Sequence, residues 1–356
     1  MGSGGRLECA REETMVTRTP NPTIVAHRFG PPSEVLALED VPIDAPGPGE
    51  VAVRMIASPI NPSDLIPVTG AYRSRTDLPF IPGFEGVGVI EEAGAGVDES
   101  VVGKRVIPIG GPGAWRRRTV REVEWCIEVP DDVDDERAAT AYINPLTALG
   151  MVGNHAVPSV RTAVVDAAGS SIAPTLAHLL AARGIRVVGM RRSPGGLGGA
   201  ALTETSREGR TDAHVGVWSA VIDSSSPTWP DELRAACPDG VDVVFDCVGG
   251  PEGMALGRML RRGGRFVHYG LLSGVPLEPA LWDERPDVIF DFFRLRGWVH
   301  SAPREQVRAA FGESFRLIGE GVIDTPIRAR LPLEEFHAAL DMVGEPGNRG
   351  KILLIP

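Results

Sequence analysis

Two rhythms of apolar and polar residues divide the chain. Over about residues 23–129, short β-branched runs (VLALEDVPI, EVAVRMIAS, GVGVIEEAG, KRVIPIG and WCIEVP) are broken by Gly and Pro. That texture predicts a compact antiparallel β domain. Residues 131–141, rich in Asp, Glu and Ala, predict a helix before NPLTALGMV. From about residue 162 the rhythm changes. RTAVVDA, IRVVGM, AVIDS, GVDVVFDCVGG and RFVHYG read as buried strands, and SIAPTLAHLLAARG and EGMALGRMLRRGG as helices stopped by Gly. Strands alternating with amphipathic helices give a parallel sheet with right-handed crossovers. Residues 193–215 are Gly-rich and polar where a further helix is expected; they read as a loop or a damaged helix with no assigned function. The β texture returns after about residue 321, and a last strand in GKILLIP is expected to rejoin the first domain. The fold class is α/β. It has an antiparallel β domain over residues 21–145 and 321–356, a doubly wound parallel sheet over 146–320, and a polar lead-in over 1–20 read as disordered.

The chain length of 356 residues suits two domains with ample core. A formal charge of −11 argues against nucleic acid and anionic membrane surfaces as default partners. No apolar run reaches the roughly 18 residues of a membrane span, and the N-terminus lacks the apolar centre of a secretory signal. Four cysteines, Cys9, Cys126, Cys237 and Cys247, form no CxxC or metal-ligand spacing. They read as free thiols of a cytoplasmic protein. The run Arg116-Arg117-Arg118 reads as a solvated strand edge, and the seven His, without paired spacing, as structural or surface residues.

The chemistry begins at the turn after RTAVVDA: Ala167-Ala168-Gly169-Ser170-Ser171-Ile172-Ala173-Pro174. A strand, a tight turn of small residues and a helix start form a pyrophosphate cradle, in which backbone N–H groups and the helix dipole face the anion. Pro174 suits a first helical turn. Ser171 and Ala173 stand where a dinucleotide fingerprint prefers Gly, so packing of helix on sheet is the competing explanation. About twenty residues on come Arg191 and Arg192 instead of an acid. Arg at that place accommodates a ribose 2′-phosphate, which points to NADPH rather than NADH. A solvated Arg pair at a strand end is the alternative.

A series of short motifs then carries a family resemblance over residues 24–356. They are Ile60–Asp64 (INPSD), Gly70-Ala71-Tyr72, Gly113-Ala114-Trp115, Ile143–Ala148 (INPLTA), Tyr269-Gly270, Leu295-Arg296-Gly297-Trp298 and Gly350–Leu353 (GKIL). In this order they resemble the zinc-free medium-chain dehydrogenase/reductase superfamily. The 2-enoyl thioester (enoyl-CoA and enoyl-ACP) reductases are the nearest group and the quinone oxidoreductases come next. The resemblance implies a GroES-like antiparallel domain beside a Rossmann-type sheet. In zinc-dependent members, a Cys-His-Thr/Ser-Asp tetrapeptide and the His of Gly-His-Glu supply metal ligands; the matching segments read Asn61-Pro62-Ser63-Asp64 and Gly83-Phe84-Glu85. A catalytic zinc needs about three protein ligands, so no metal site is expected.

The implied activity is NADPH-dependent reduction of the carbon–carbon double bond of an α,β-unsaturated carbonyl. Hydride goes to the β-carbon and a proton to the α-carbon. A 2-enoyl thioester or a polyketide-like intermediate is the leading substrate, with CoA or an acyl carrier protein as the carrier. A quinone or enone oxidoreductase and a non-catalytic NADPH-binding relative are the rivals. By resemblance Tyr72 is the proton donor or enolate partner, Asn61 hydrogen-bonds substrate or nicotinamide, and Trp115 walls the pocket. Each has a plainer alternative: a loop tyrosine, a turn asparagine and a packing tryptophan. Glu85 and Asp64, without a metal, are expected to tie loops together by hydrogen bonds. The cofactor-binding set is Asn144, Thr147, Gly169, Ser170, Ser171, Ile172, Arg191, Arg192, Cys247, Val248, Gly249, Tyr269, Gly270 and Lys351, with Lys351 near a phosphate or ribose. A homodimer through a strand around residues 295–299 is likewise a family expectation.

Overall fold

Fifteen strands build three sheets in a computed structural model that describes residues 19–192, 217–345 and 350–356. The strands are β1 (Pro22–Ala26), β2 (Leu36–Asp40), β3 (Glu50–Pro59), β4 (Val87–Ala93), β5 (Arg105–Pro108), β6 (Arg118–Glu122), β7 (Cys126–Glu128) and β8 (Thr162–Val165). They continue as β9 (Arg186–Arg191), β10 (Ala220–Asp223), β11 (Val241–Asp246), β12 (Leu260–His268), β13 (Ile289–Phe292), β14 (Ile327–Pro332) and β15 (Lys351–Ile355).

One sheet runs β14-β15-β3-β4-β5-β7, with β6 also on β3, and β1 and β2 form a separate antiparallel pair. The second large sheet is parallel, in the order β10-β9-β8-β11-β12-β13. Its central strands β8 (TAVV) and β11 (VDVVFD) are buried at every position. That is why their sequences are continuous apolar runs rather than alternations. The last strand rejoins the first sheet as expected: Leu353 pairs Pro59 and Leu354 pairs Ser58, antiparallel on β3. One buried apolar cluster is shared by residues of both large sheets, from Ala57 and Val87 to Val165 and Phe245. Across it, the Tyr142 and Phe311 rings stack with centroids 5.5 Å apart.

Four expectations need correction or restriction. The helix read as EGMALGRMLRRGG ends at Met259, and Leu260–His268 is strand. Leu260 pairs Val241, the register then slips between Val241 and Val243, and Gly263 takes φ +74°. The glycines therefore serve a β-bulge and not a helix stop. The acidic helix is only Asp135–Ala139; Asp134 caps its start by accepting from Arg137 N at 2.9 Å, and Thr140 leaves the helical conformation at its end. The segment expected as the dimer strand, residues 295–299, lies in the helix Leu295–Ser301. The strand at that edge of the parallel sheet is β13, which ends before Phe293. Arg116, Arg117 and Arg118 are half-buried rather than solvated, and Arg118 pairs with Glu91 at 2.8 Å. The lead-in at 1–18 and the Gly-rich segment at 193–215 lie outside the described residues.

Candidate active site

The INPSD and GFEG segments meet in a buried network. After β3 the chain turns into the helix Pro62–Thr69, with proline at its start where a missing N–H costs nothing. Asp64 in that first turn reaches back and accepts from Asn61 N at 2.7 Å; its other oxygen accepts from Phe84 N at 2.8 Å. Glu85 Oε1 accepts from Tyr142 N (2.8 Å) and Ile143 N (2.7 Å), so this carboxylate caps the helix Ile143–His155. Its Oε2 accepts from Asn61 Nδ2 at 3.0 Å. Lys351 Nζ donates to Asn61 Oδ1. Asn61, Asp64, Glu85 and Lys351 are at most 8 % exposed. The two acids thus tie the segments together by hydrogen bonds, as expected.

The network fixes the Asn61 amide. An ammonium only donates and an ionised carboxylate only accepts, so Oδ1 must face Lys351 and Nδ2 must face Glu85. Asn61 Nδ2 thus spends one of its two hydrogens on Glu85. Glu85 accepts three N–H groups, the arrangement of an anion, and Lys351 is its counter-charge. Burial pushes the Glu85 carboxyl up from its usual range, with Lys351 the largest opposing influence. Burial likewise lowers Lys351 against the pull of Glu85 and Asp64. Asp64 is pushed up to about 7 by burial, opposed first by the two backbone N–H bonds.

Asn61 and Phe84 occupy two positions where zinc-dependent relatives place ligands. An amide and a phenyl ring are poor donors for zinc. Among the described residues no three His, Cys, Asp or Glu side chains converge to hold a metal ion. From the opposite domain, Arg296 reaches over Phe84, with its guanidinium 5.8 Å from the ring centroid.

Trp115 and Tyr72 lie outside this network. Trp115 is fully buried, and its indole N–H donates to Pro59 O at 3.3 Å. Gly83, at φ +90°, lies directly on it: a Cβ there would sit 2.4 Å from Trp115 Cδ1. Trp115 therefore packs tightly against Gly83, as the packing alternative for it described. Tyr72 is 38 % exposed at the end of a Gly70-Ala71 turn, with the Arg75 guanidinium 3.9 Å from its ring centroid. Lys351 points to Asn61 and donates to its side-chain oxygen.

The second half of the candidate site gathers at the C-terminal ends of β8, β9, β11 and β12, the crevice where open α/β sheets bind ligands. After β8, Ala167 takes φ +50° and Ala168 N donates to Met190 O at 2.7 Å. That bond draws the turn against β9, where Gly189 leaves room for Ala168. Gly169 faces the Arg191 side chain. Ser170, Ser171 and Ile172 lead into the helix Ala173–Ala181, with Pro174 in its first turn. Ser170 Oγ is buried and has no hydrogen-bond partner among the described residues. Gly249 and Gly250 at φ +70° and +57° close the neighbouring turn after Cys247-Val248. A Cβ on Gly270, next to Tyr269, would lie 2.9 Å from Cys247 Cβ. Asn144 and Thr147 sit in the first turns of the helix capped by Glu85. Arg192 is exposed just after β9. A cradle of backbone N–H groups, an orphaned hydroxyl and a flanking arginine fit a phosphorylated dinucleotide.

Three residues here escaped sequence reasoning: Asp166, Asp246 and His268, at the ends of adjacent strands. The acids ending RTAVVDA and GVDVVFDCVGG were the available signal, since a buried strand rarely ends in an unpaired acid.

Comparison with known proteins settles the family. Residues 47–131 match the family described as alcohol dehydrogenase GroES-like domain, and residues 215–354 match zinc-binding dehydrogenase. The bovine (Bos taurus) mitochondrial enoyl-[acyl-carrier-protein] reductase is 30 % identical over 340 residues, covering 93 % of this chain and 87 % of that one. The chain belongs to the medium-chain dehydrogenase/reductase superfamily. Among solved structures of this superfamily's fold, a putative NADPH:quinone reductase from Bacillus thuringiensis has 32 % identity and a TM-score of 0.84. It covers 95 % of this chain and 99 % of its own. Escherichia coli quinone oxidoreductase, solved in complex with NADPH, shares the fold with a TM-score of 0.81 at 22 % identity, over 94 % of this chain and 100 % of its own. The GroES-like sheet and the Rossmann-type parallel sheet are those of this superfamily.

Proposed function

We propose that this protein is an NADPH-dependent reductase of polarised carbon–carbon double bonds, with 2-enoyl thioesters as its substrate class. The observation that carries the reading is the Lys351–Asn61–Glu85 network. It replaces ligand chemistry with an oriented amide and an internal ammonium, beside a turn suited to a 2′-phosphorylated dinucleotide. Similarity to the enoyl reductases and to NADPH:quinone reductases supports the cofactor and the reaction class.

NADPH, when bound, supplies the hydride. The protein's own task is then to bind the thioester carbonyl and stabilise the negative charge that develops on its oxygen. A preorganised donor at that oxygen is worth about 3–4 kcal/mol. The second amide hydrogen of Asn61 is one such donor, held from both sides by Lys351 and Glu85. The Tyr72 phenol is the second, and it delivers the proton to the α-carbon. Arg191 and Arg192 receive the 2′-phosphate, and Ser170 Oγ and the turn N–H groups receive the pyrophosphate.

A homodimer accords with the exposed apolar edge of the parallel sheet, where Ile289 and Phe292 on β13 are 46 % and 55 % exposed. A reducing, cytoplasmic compartment accords with the free thiols Cys126, Cys237 and Cys247. No described helix is long and apolar enough to cross a membrane.

Quinone reduction on the same scaffold is the second reading, favoured by the solved relatives. Steady-state rates with NADPH on a short 2-enoyl-CoA and on a naphthoquinone separate the two. Turnover of the thioester is expected; turnover of the quinone alone contradicts the proposal.

A further inference from the structure

Three strand ends of the parallel sheet carry titratable side chains in one row. Phe245 pairs Val165, and Asp246 pairs His268. Asp166, Asp246 and His268 therefore follow one another across the ends of β8, β11 and β12. Asp166 and Asp246 are 1 % and 0 % exposed. Asp246 is fully employed: Oδ1 accepts from Val248 N (3.2 Å) and Gly249 N (3.0 Å), and Oδ2 pairs with His268 Nδ1 at 2.5 Å. Those contacts suit an ionised carboxylate.

Asp166 differs. Its Oδ1 accepts from Ala167 N at 2.7 Å, and its buried Oδ2 has no hydrogen-bond partner among the described residues. Asp246 and Glu252 both bring negative charge toward it. A second buried anion beside an ionised one is unfavourable; a carboxylic acid O–H removes the charge and makes the orphaned oxygen a donor. Burial first, then Glu252 and Asp246, push Asp166 up to about 9, opposed by the Ala167 N–H. The remaining titratable neighbours are Cys247 and Tyr269, both raised by burial, and Arg191 flanks the same turn beside Gly169.

We propose that Asp166 belongs to the nucleotide site as a neutral acid, and that the dinucleotide binds together with the proton this side chain carries. The inference rests on the nucleotide reading given above. Asp166 immediately precedes the turn that would receive the pyrophosphate, so its anion and the ligand's anion compete. Its protonated form lies beside Asp246 without adding a charge and so coexists with the phosphates. Where the free protein has lost this proton, one proton is taken from solvent for each dinucleotide bound, and no other bond changes.

Titration calorimetry of the full chain with NADPH, in buffers of different ionisation heat from about pH 7 to about pH 10, counts the protons taken up. Uptake should be close to none at neutral pH and rise toward one per site in the alkaline range. Affinity should fall there by up to about tenfold per pH unit. Asp166→Asn should bind at alkaline pH at least as tightly as the unaltered protein, with no uptake. Glu252→Gln, at a less buried position, removes a negative neighbour and should move the onset of uptake to lower pH. The unaltered uptake and the Glu252→Gln shift decide the matter even if Asp166→Asn does not fold. Binding without uptake across the range, or equal uptake in Asp166→Asn, overturns the inference and leaves the nucleotide reading standing. No binding at sub-millimolar NADPH overturns both.

Discussion

Lys351 donates to the side-chain carbonyl of Asn61, across 290 residues of sequence. The bond joins the C-terminal strand to the segment that in zinc-dependent relatives begins the metal site. It also brings a positive charge to Glu85 and Asp64, which burial alone would drive toward neutrality. Removing that charge leaves an anion buried without compensation. Lys351→Met should therefore cost about 3–5 kcal/mol, the range for breaking one side of a buried pair. Urea unfolding measures it. Adding Glu85→Gln should recover part of the loss, because the pair is then removed from both sides. Additive losses would mean that Lys351 and Glu85 do not act as a pair.

Asp64 makes stability depend on pH. Its folded value is about 7 against 3.8 for the ordinary side chain. The folded protein thus holds a proton that the unfolded chain releases. This group's contribution is fully present below the unfolded value and is lost as pH rises through the folded one. In Asp64→Asn the loss of stability between about pH 4 and about pH 7 should be shallower than in the unaltered protein. Parallel stability curves for the two proteins would refute the assignment. At low pH the variant should be weaker by about 1 kcal/mol, because an amide cannot accept both the Asn61 and Phe84 N–H groups.

Ala167 holds a left-handed backbone conformation at φ +50°, which a side chain disfavours by about 1–2 kcal/mol. Ala167→Gly relieves that strain but gives the unfolded chain more freedom, worth about 0.4–1 kcal/mol. The net result should be a gain between zero and about 1.6 kcal/mol, read from thermal unfolding. A loss above about 1 kcal/mol would show that the turn depends on the Ala167 methyl group.

Tyr72 stands apart from the buried network, with its ring beneath Arg75. As donor to the α-carbon, its phenol should matter for turnover and little for cofactor binding. Tyr72→Phe should lower kcat by about 10²-fold, the scale of general acid catalysis, with NADPH affinity unchanged within about twofold. Unchanged turnover would remove the phenol from the reaction and leave Asn61 as the remaining donor.

Much of this architecture was legible in the residues because the two texture zones reflect two kinds of burial. Strands buried on both faces, such as β8 and β11, read as unbroken apolar runs, and the turn after β8 stood out by its small residues. The departures have local causes. Gly263 serves a bulge inside β12, and a glycine pair after apolar residues looks the same at a helix end as at a bulge. For Trp115 the residues leave pocket wall and packing residue both open, because a Gly-x-Trp motif does not reveal the direction of the ring. Its burial depends on Gly83, 32 residues away in the chain. The capping of the helix Ile143–His155 by Glu85 and the row Asp166–Asp246–His268 are tertiary facts. They arise from loop closure and strand register, which one sequence does not display.

The central claim is that a pocket built on Asn61, Lys351 and Tyr72 lets NADPH saturate a polarised alkene. Reduction of a 2-enoyl-CoA with NADPH deuterated at the transferred position tests it most directly. The account predicts a saturated acyl thioester carrying deuterium at the β-carbon, and a second label at the α-carbon only when the reaction is run in heavy water. Recovery of unreduced, unlabelled enoyl thioester under conditions where the same enzyme oxidises NADPH with a quinone would contradict it.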